Sequence, residues 1–277
     1  MTELLALGSA IAFGAGDFCG GLASRRAPAL RVTALAQTAS VVALIPMLVL
    51  VPAVEVTGAD LVWGAAGGLF GLIGLLLLFT ALGEGPMGIV APTTSVVSAL
   101  VPLAWGLASG ERPGGLAYAG IVLGLLAIVA VTMPDGPSGR LSGRVIAMAL
   151  GAGLGFALFF IALSETSLDS GLWPLVGARA VTVPAILALA WRFARPEPIG
   201  DAWRLAVVSG VLDMFANALF LSAAQRGLLA IAAVLSALYP AVTAVLARIV
   251  LQERMSGIQL GGVGAAVLAV ILIGLPA

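Results

Sequence analysis

The chain has 277 residues, 61% apolar and only 9% charged, with 13 basic and 13 acidic residues and a formal net charge of zero. Soluble domains run at about 45–50% apolar and about 25% charged, so a mean hydropathy of +1.16 over the whole length excludes an ordinary soluble domain and indicates an integral membrane protein. With no His, no Lys and one cysteine, Cys19, an internal disulfide and any zinc, haem or iron–sulfur ligand set are excluded, scattered charges leave no nucleic-acid footprint, and no cofactor is expected.

A transmembrane helix needs about 20 apolar residues, and charge clusters and Gly/Pro turns divide the chain into about ten such runs. Met1-Thr2-Glu3-Leu4-Leu5 lacks the positive start of a signal peptide, so the first run, 4–23, reads as a retained span; it carries Asp17. The second, 30–51, carries Gln37. After 61–82 comes 87–108, with the polar stretch Ala91-Pro92-Thr93-Thr94-Ser95. Spans over 116–133 and 145–163 follow, the latter with Phe156, Phe159 and Phe160. The seventh, 172–193, holds Arg179, and the eighth, 202–224, holds Asp213 with Asn217 one turn later on the same face. The ninth, 228–251, contains Ser236, Tyr239 and Pro240; the tenth is 258–275. The runs are continuous rather than alternating, which predicts helices and not a barrel.

Small residues recur four apart at Gly16/Gly20, Gly64/Gly68, Gly67/Gly71, Gly120/Gly124, Gly151/Gly155 and Gly257/Gly261. Lipid supplies little hydrophobic force between helices, so these are expected to be faces of close packing. Trp63, Trp105, Trp173, Trp191 and Trp203 fall near span ends and fit an interfacial belt.

The two halves resemble each other. Gly85 and Gly227 are 142 residues apart, as are Glu111 and Glu253, and each interval runs from a turn through an apolar helix to Glu-Arg. Leu7-Gly8-Ser9-Ala10-Ile11-Ala12-Phe13 also matches Leu150-Gly151-Ala152-Gly153-Leu154-Gly155-Phe156. Two five-helix units follow, 1–137 and 138–277. Five crossings is an odd number, so the second unit is expected to be inverted, as in many secondary transporters.

Ionisable groups inside a span cost about 2.5–3.5 kcal/mol each on insertion scales, so Asp17, Arg179 and Asp213 are the candidate functional residues. Guanidinium geometry suits a substrate carboxylate; the other reading of Arg179 is an ion pair with Asp213 or Asp17. Asp213 is either a site for a proton or a substrate amine, or the partner in that pair. Asp17 is nearer its helix end, where an interfacial, solvated acid is the plainer reading and an ion-coupling role the sharper one. Thr94 and Ser95 in the fourth span and Ser236 and Tyr239 in the ninth flank prolines that remove a helix hydrogen bond. They are expected either to line a central pocket framed by two kinks or to satisfy the freed carbonyls. Phe156 and its neighbours offer an aromatic wall or simple packing.

The Glu111-Arg112 and Glu253-Arg254 closings, the Leu238-Tyr239-Pro240 segment and Arg179 shortly after Pro174 resemble the drug/metabolite transporter superfamily, EamA type, along essentially the whole chain. That resemblance implies a ten-helix carrier of small molecules, and on it alone rests the expectation of export. The first half departs from the pattern, with Gln37 where the repeat would place Arg and Ser98 where it would place Pro, so more of the site is expected in the second half.

The reading is therefore a multi-pass plasma-membrane protein, not an enzyme, that moves small organic metabolites, amino acids or related zwitterions first among them. Its partners are that small-molecule substrate and the lipid bilayer, with a homodimer left open. Alternatives are a carrier of drugs or lipophilic cations and a lipid flippase. Gly14-Ala15-Gly16-Asp17 raises an intramembrane aspartyl protease with Asp213 as second acid. Arginines cluster in alternate connections (Arg25, Arg26, Arg31; Arg140, Arg144; Arg192, Arg195, Arg204; Arg248, Arg254) against Arg112 and Arg226 in the others. The positive-inside rule then places both termini outside the cytoplasm, whereas the resemblance implies both inside.

Overall fold

The computed structural model describes residues 1–85, 87–131, 133, 142–193, 199–250, 252 and 256–274. Arg140, Arg195, Glu253, Arg254, the last residues of the two final predicted spans (251 and 275) and the Pro92 side chain lie outside the described residues. The described chain is all helix: α1 Thr2–Ser24, α2 Ala29–Leu50, α3 Gly58–Glu84, α4 Met87–Ala108, α5 Gly115–Val131, α6 Gly143–Ser164, α7 Trp173–Phe193, α8 Ala202–Ala224, α9 Leu229–Ser236, α10 Tyr239–Val250 and α11 Gly257–Gly274. Eight segments are long and apolar enough to cross a membrane, counting Leu229–Val250 as one, and Thr93–Ala108 and Gly115–Val131 are shorter apolar helices. Local chemistry sets several starts. At α3 the Thr57 hydroxyl accepts from the Asp60 amide and Asp60 accepts from the Thr57 amide, a reciprocal cap; Ser142 caps α6.

The ninth span differs from the continuous helix expected: it is broken between α9 and α10. Pro240 has no N–H to give the Ser236 carbonyl, but at the second position of a new helix it loses nothing. The chain therefore tightens through Ala237 and Leu238, with Leu238 N–H donating to the Leu235 carbonyl at 3.2 Å. The fourth span carries its proline closer to its start and runs as one helix over Met87–Ala108, so of these two proline-bearing spans the ninth alone is divided.

Helices pack across the two halves more than within them: α1 lies on α8 and α3 on α6, α3 on α7 and α2 on α8, α4 on α6 and α1 on α9 and α10, while α5 pairs with α11. Advancing each span by five exchanges the members of these pairs, as two halves related by a twofold axis in the membrane plane require. Glycine allows the closest approaches. A Cβ on Gly68 would sit 2.7 Å from Ala178 Cα on α7, and one on Gly64 would run into the Pro174 backbone. Gly257 and Gly261 are the exception to the expected packing role, with open space where their side chains would be.

Ten crossings put Met1 and the end of α11 on one face, called here the terminal face. Its connections are tied to one another. Asp60 Oδ1 accepts from the Ser167 amide at 2.7 Å, Val54 N–H donates to the Asp169 carbonyl at 2.8 Å, and Gln225 Nε2 donates to the Ser167 carbonyl at 2.8 Å.

Candidate functional site

Between the halves lies a narrow cavity of about 40 Å³, measured as the room open to the centre of a water-sized sphere. The first half supplies Phe13 and Asp17 from α1, Gln37 from α2, Gly68, Gly71 and Leu75 from α3, and Ser98 from α4. The second supplies Phe156, Phe159 and Phe160 from α6, Arg179 from α7, Asp213 and Asn217 from α8, and Tyr239 from the start of α10. Gly68 and Gly71 open the wall because any side chain there would meet α7 or Phe159.

At its polar end Arg179 Nη2 donates to Asp213 Oδ2 at 2.9 Å, with Arg179 7% and Asp213 22% exposed. Of the two readings of these residues, the ion pair is the one present. The pair does not exhaust its polar atoms: Arg179 Nε is buried without an acceptor. One turn along α8, the Asn217 amide nitrogen donates to the Asp213 backbone carbonyl at 2.7 Å. That bond fixes the amide's orientation, and Asn217 Oδ1 is left buried without a donor.

Asp17 is not the interfacial acid that its position near a helix end suggested. It lines this cavity, within electrostatic range of Asp213 and Tyr239, and among the described residues no hydrogen bond or ion pair engages its carboxylate. The physical reason is the path of α1, whose glycine-lined flank lets Asp17 and Phe13, one turn apart, face inward beside α8. Gln37, the repeat counterpart of Arg179, accepts from the Thr182 hydroxyl at 3.3 Å and replaces a second cation with a neutral amide.

Three of the expected pocket hydroxyls are elsewhere. Thr94 donates to the Ala149 carbonyl at 3.1 Å, Ser236 to the Ala6 carbonyl at 3.4 Å, and Ser95 to the Ala237 carbonyl at the α9–α10 break. They fasten helix seams, because each faces a backbone carbonyl across a tight crossing. Tyr239 does reach the cavity, and its hydroxyl also donates to the Ala91 carbonyl at 3.4 Å.

The opposite wall is aromatic. Phe160 stacks on Phe220 with centroids 4.0 Å apart, and Phe13 and Phe159 tilt against it at 6.1 and 5.8 Å. The cavity thus presents one unused cationic donor, one unused amide acceptor and one unpaired carboxylate beside an apolar surface. Phe13 and Leu75 were not singled out by the sequence; for Phe13 the signal was its i, i+4 spacing from Asp17.

A family model described as the EamA-like transporter family matches residues 1–133 and 143–275. Among solved structures, one crystal structure superposes with a TM-score of 0.76 over 99% of this chain and 96% of its own, at 19% identity, a likeness of fold alone. No match was found among curated proteins.

Proposed function

Because the chain belongs to the EamA-like transporter family, and so is a multi-pass membrane transporter of small molecules, we propose that it is a secondary carrier of amino acids or related zwitterions working by alternating access. The observation that carries this reading is that two buried polar atoms, Arg179 Nε and Asn217 Oδ1, lack partners in a cavity between the two halves that the Asp17 carboxylate also lines. Leaving a buried polar group unsatisfied costs about 1–3 kcal/mol, so a ligand with an anionic and a cationic end recovers energy at both. Its carboxylate would meet Arg179. Its amine would meet Asp17 and Asn217 rather than Asp213, whose Oδ2 already holds Arg179. Asp213 then keeps the guanidinium charged and aimed, and Asp17 is the carboxylate free to exchange an amine for a coupling proton.

A second reading has its own observation. With every group ionised, Asp17 and Asp213 outnumber Arg179, and the wall of Phe13, Phe156, Phe159 and Phe160 offers faces to an organic cation. A lipophilic-cation carrier would use that surplus and ignore Arg179. The aspartyl-protease alternative has lost support, since Asp213 is held by the Arg179 guanidinium and the chain belongs to a transporter family. Export and a plasma-membrane location remain expectations from the family.

The test is a thermal-shift screen of the detergent-purified protein against amino acids, other metabolites, lipids and lipophilic cations, repeated on Asp17→Asn and Asn217→Ala. Stabilisation by an amino acid, reduced in both variants, supports the reading; a ligand at 100 times its Kd adds about 2.7 kcal/mol. Stabilisation only by lipophilic cations or lipids would replace it with drug efflux or lipid flipping.

A further inference from the structure

The Glu-Arg closing of the fourth span has no place in the cavity, yet Glu111 makes a specific contact between the halves. Its Oε1 accepts from the Leu229 amide at 2.7 Å and its Oε2 from the Ala230 amide at 2.9 Å. These are the first-turn donors of α9, which has no side-chain cap of its own because its N-cap is Leu228. A carboxylate across two such amides makes charge-assisted hydrogen bonds on the positive end of the helix. The fit is shaped: a Cβ on Gly106 would lie 2.5 Å from Glu111 Oε2, so the absence of a side chain at 106 admits the carboxylate.

The contact lies on the terminal face, at the end of a seam between repeat mates. One helix length deeper, Ser95 of α4 bonds the Ala237 carbonyl at the α9–α10 break, and Tyr239 beyond the break lines the cavity. Any movement that separates α4 from α9 at the terminal face breaks both bonds to Glu111.

We infer that Glu111 is a latch: its hold on the α9 N-terminus keeps the cavity shut toward the terminal face and biases the carrier toward the state open on the other side. The inference rests on the alternating-access reading above. The residue 142 positions after Gly106 is Arg248, so the small residue that admits the Glu111 carboxylate is not repeated in the second half.

The experiment uses full-length protein in proteoliposomes, with orientation read from a terminal tag. Ser98, in the cavity wall, is changed to cysteine as a reporter in a Cys19→Ser background, and an impermeant cationic thiol reagent is added from either face. Glu111→Gln, which removes the charge, and Gly106→Ala, which leaves the carboxylate but displaces it, should each speed labelling from the terminal face roughly tenfold and slow it from the other, as a shifted two-state equilibrium does. Gly106→Ala combined with Glu111→Gln should do no more than either alone. Unchanged rates in both variants, or equal acceleration from both faces, overturn the latch. So does a lowered melting temperature with no change in the face of labelling, which leaves Glu111 as a cap only. A wild-type protein that amino acids fail to stabilise would retire the zwitterion reading and leave these labelling rates as predicted.

Discussion

At the scale of single residues, the cavity holds two acids with different duties. Asp213 is committed to Arg179 at 2.9 Å, and removing one member of a buried ion pair strands the other at a cost of about 3–5 kcal/mol. Arg179→Ala and Asp213→Ala should therefore each lower the melting temperature sharply, while the double variant recovers much of the loss; differential scanning calorimetry on the three proteins reads this directly. Asp17 has no such partner among the described residues, so Asp17→Asn strands no opposite charge and should act on ligand binding without the fall in melting temperature of the Arg179 and Asp213 variants. If Asp17→Asn instead unfolds the protein, its carboxylate has a structural partner and the assignment of the amine fails. Composition marked both acids as out of place in lipid. It did not say which one Arg179 would choose, because α7, α8 and α1 are brought together only by cross-half packing.

At the scale of helices, span number and most boundaries follow from the length of the apolar runs, since lipid enforces continuous intrahelical hydrogen bonding. The break at Ala237–Leu238 was signalled by Pro240, but Pro92 carried the same signal in α4, which stays whole. Proline marks where a helix is weakened, while the neighbouring helix decides whether the weakness becomes a break; here the Ser95 hydroxyl takes up the Ala237 carbonyl. The same dependence on neighbours sorts the glycines. Gly64→Leu drives a side chain into the backbone of Pro174, whereas Gly261→Leu extends into open space. Overpacking costs about 1–3 kcal/mol or more, so Gly64→Leu should lower thermal stability or abolish expression and Gly261→Leu should behave as wild type. A monomeric Gly261→Leu protein with wild-type melting temperature supports this sorting; equal loss in both variants refutes it. Of the two roles open to Thr94, Ser95 and Ser236, bonding a backbone carbonyl is the one present; the sequence does not say which, because it does not say which crossing a hydroxyl one turn from a pocket residue meets.

At the scale of the whole molecule, the internal repeat was the most informative feature. It implied two units, and the packing exchanges partners between them in the way those units demand. The cavity lies where the halves join, and the ionisable groups that the sequence marked as out of place in lipid, Asp17, Arg179 and Asp213, line it. Asymmetry was visible too: Gln37 opposite Arg179 and Gly106 opposite Arg248 give the two halves unequal chemistry within equivalent helices. Orientation is a separate matter of charge. Arg25, Arg26, Arg144, Arg192, Arg204 and Arg248 are exposed on the face opposite the termini, against Arg112 and Arg226 on the terminal face. The positive-inside rule then predicts that an impermeant reagent added to intact cells labels a terminal tag, and a tag labelled only after permeabilisation would reverse the assignment.

The central claim is that the cavity carries a zwitterion between two alternately open faces with Asp17 holding its amine. Counterflow in proteoliposomes tests it most directly: vesicles loaded with an unlabelled amino acid that stabilises the protein are diluted into a trace of the labelled compound. The account predicts a saturable, transient accumulation in wild type that disappears in folded Asp17→Asn. Flux that never saturates, or accumulation unaffected by Asp17→Asn, would contradict it.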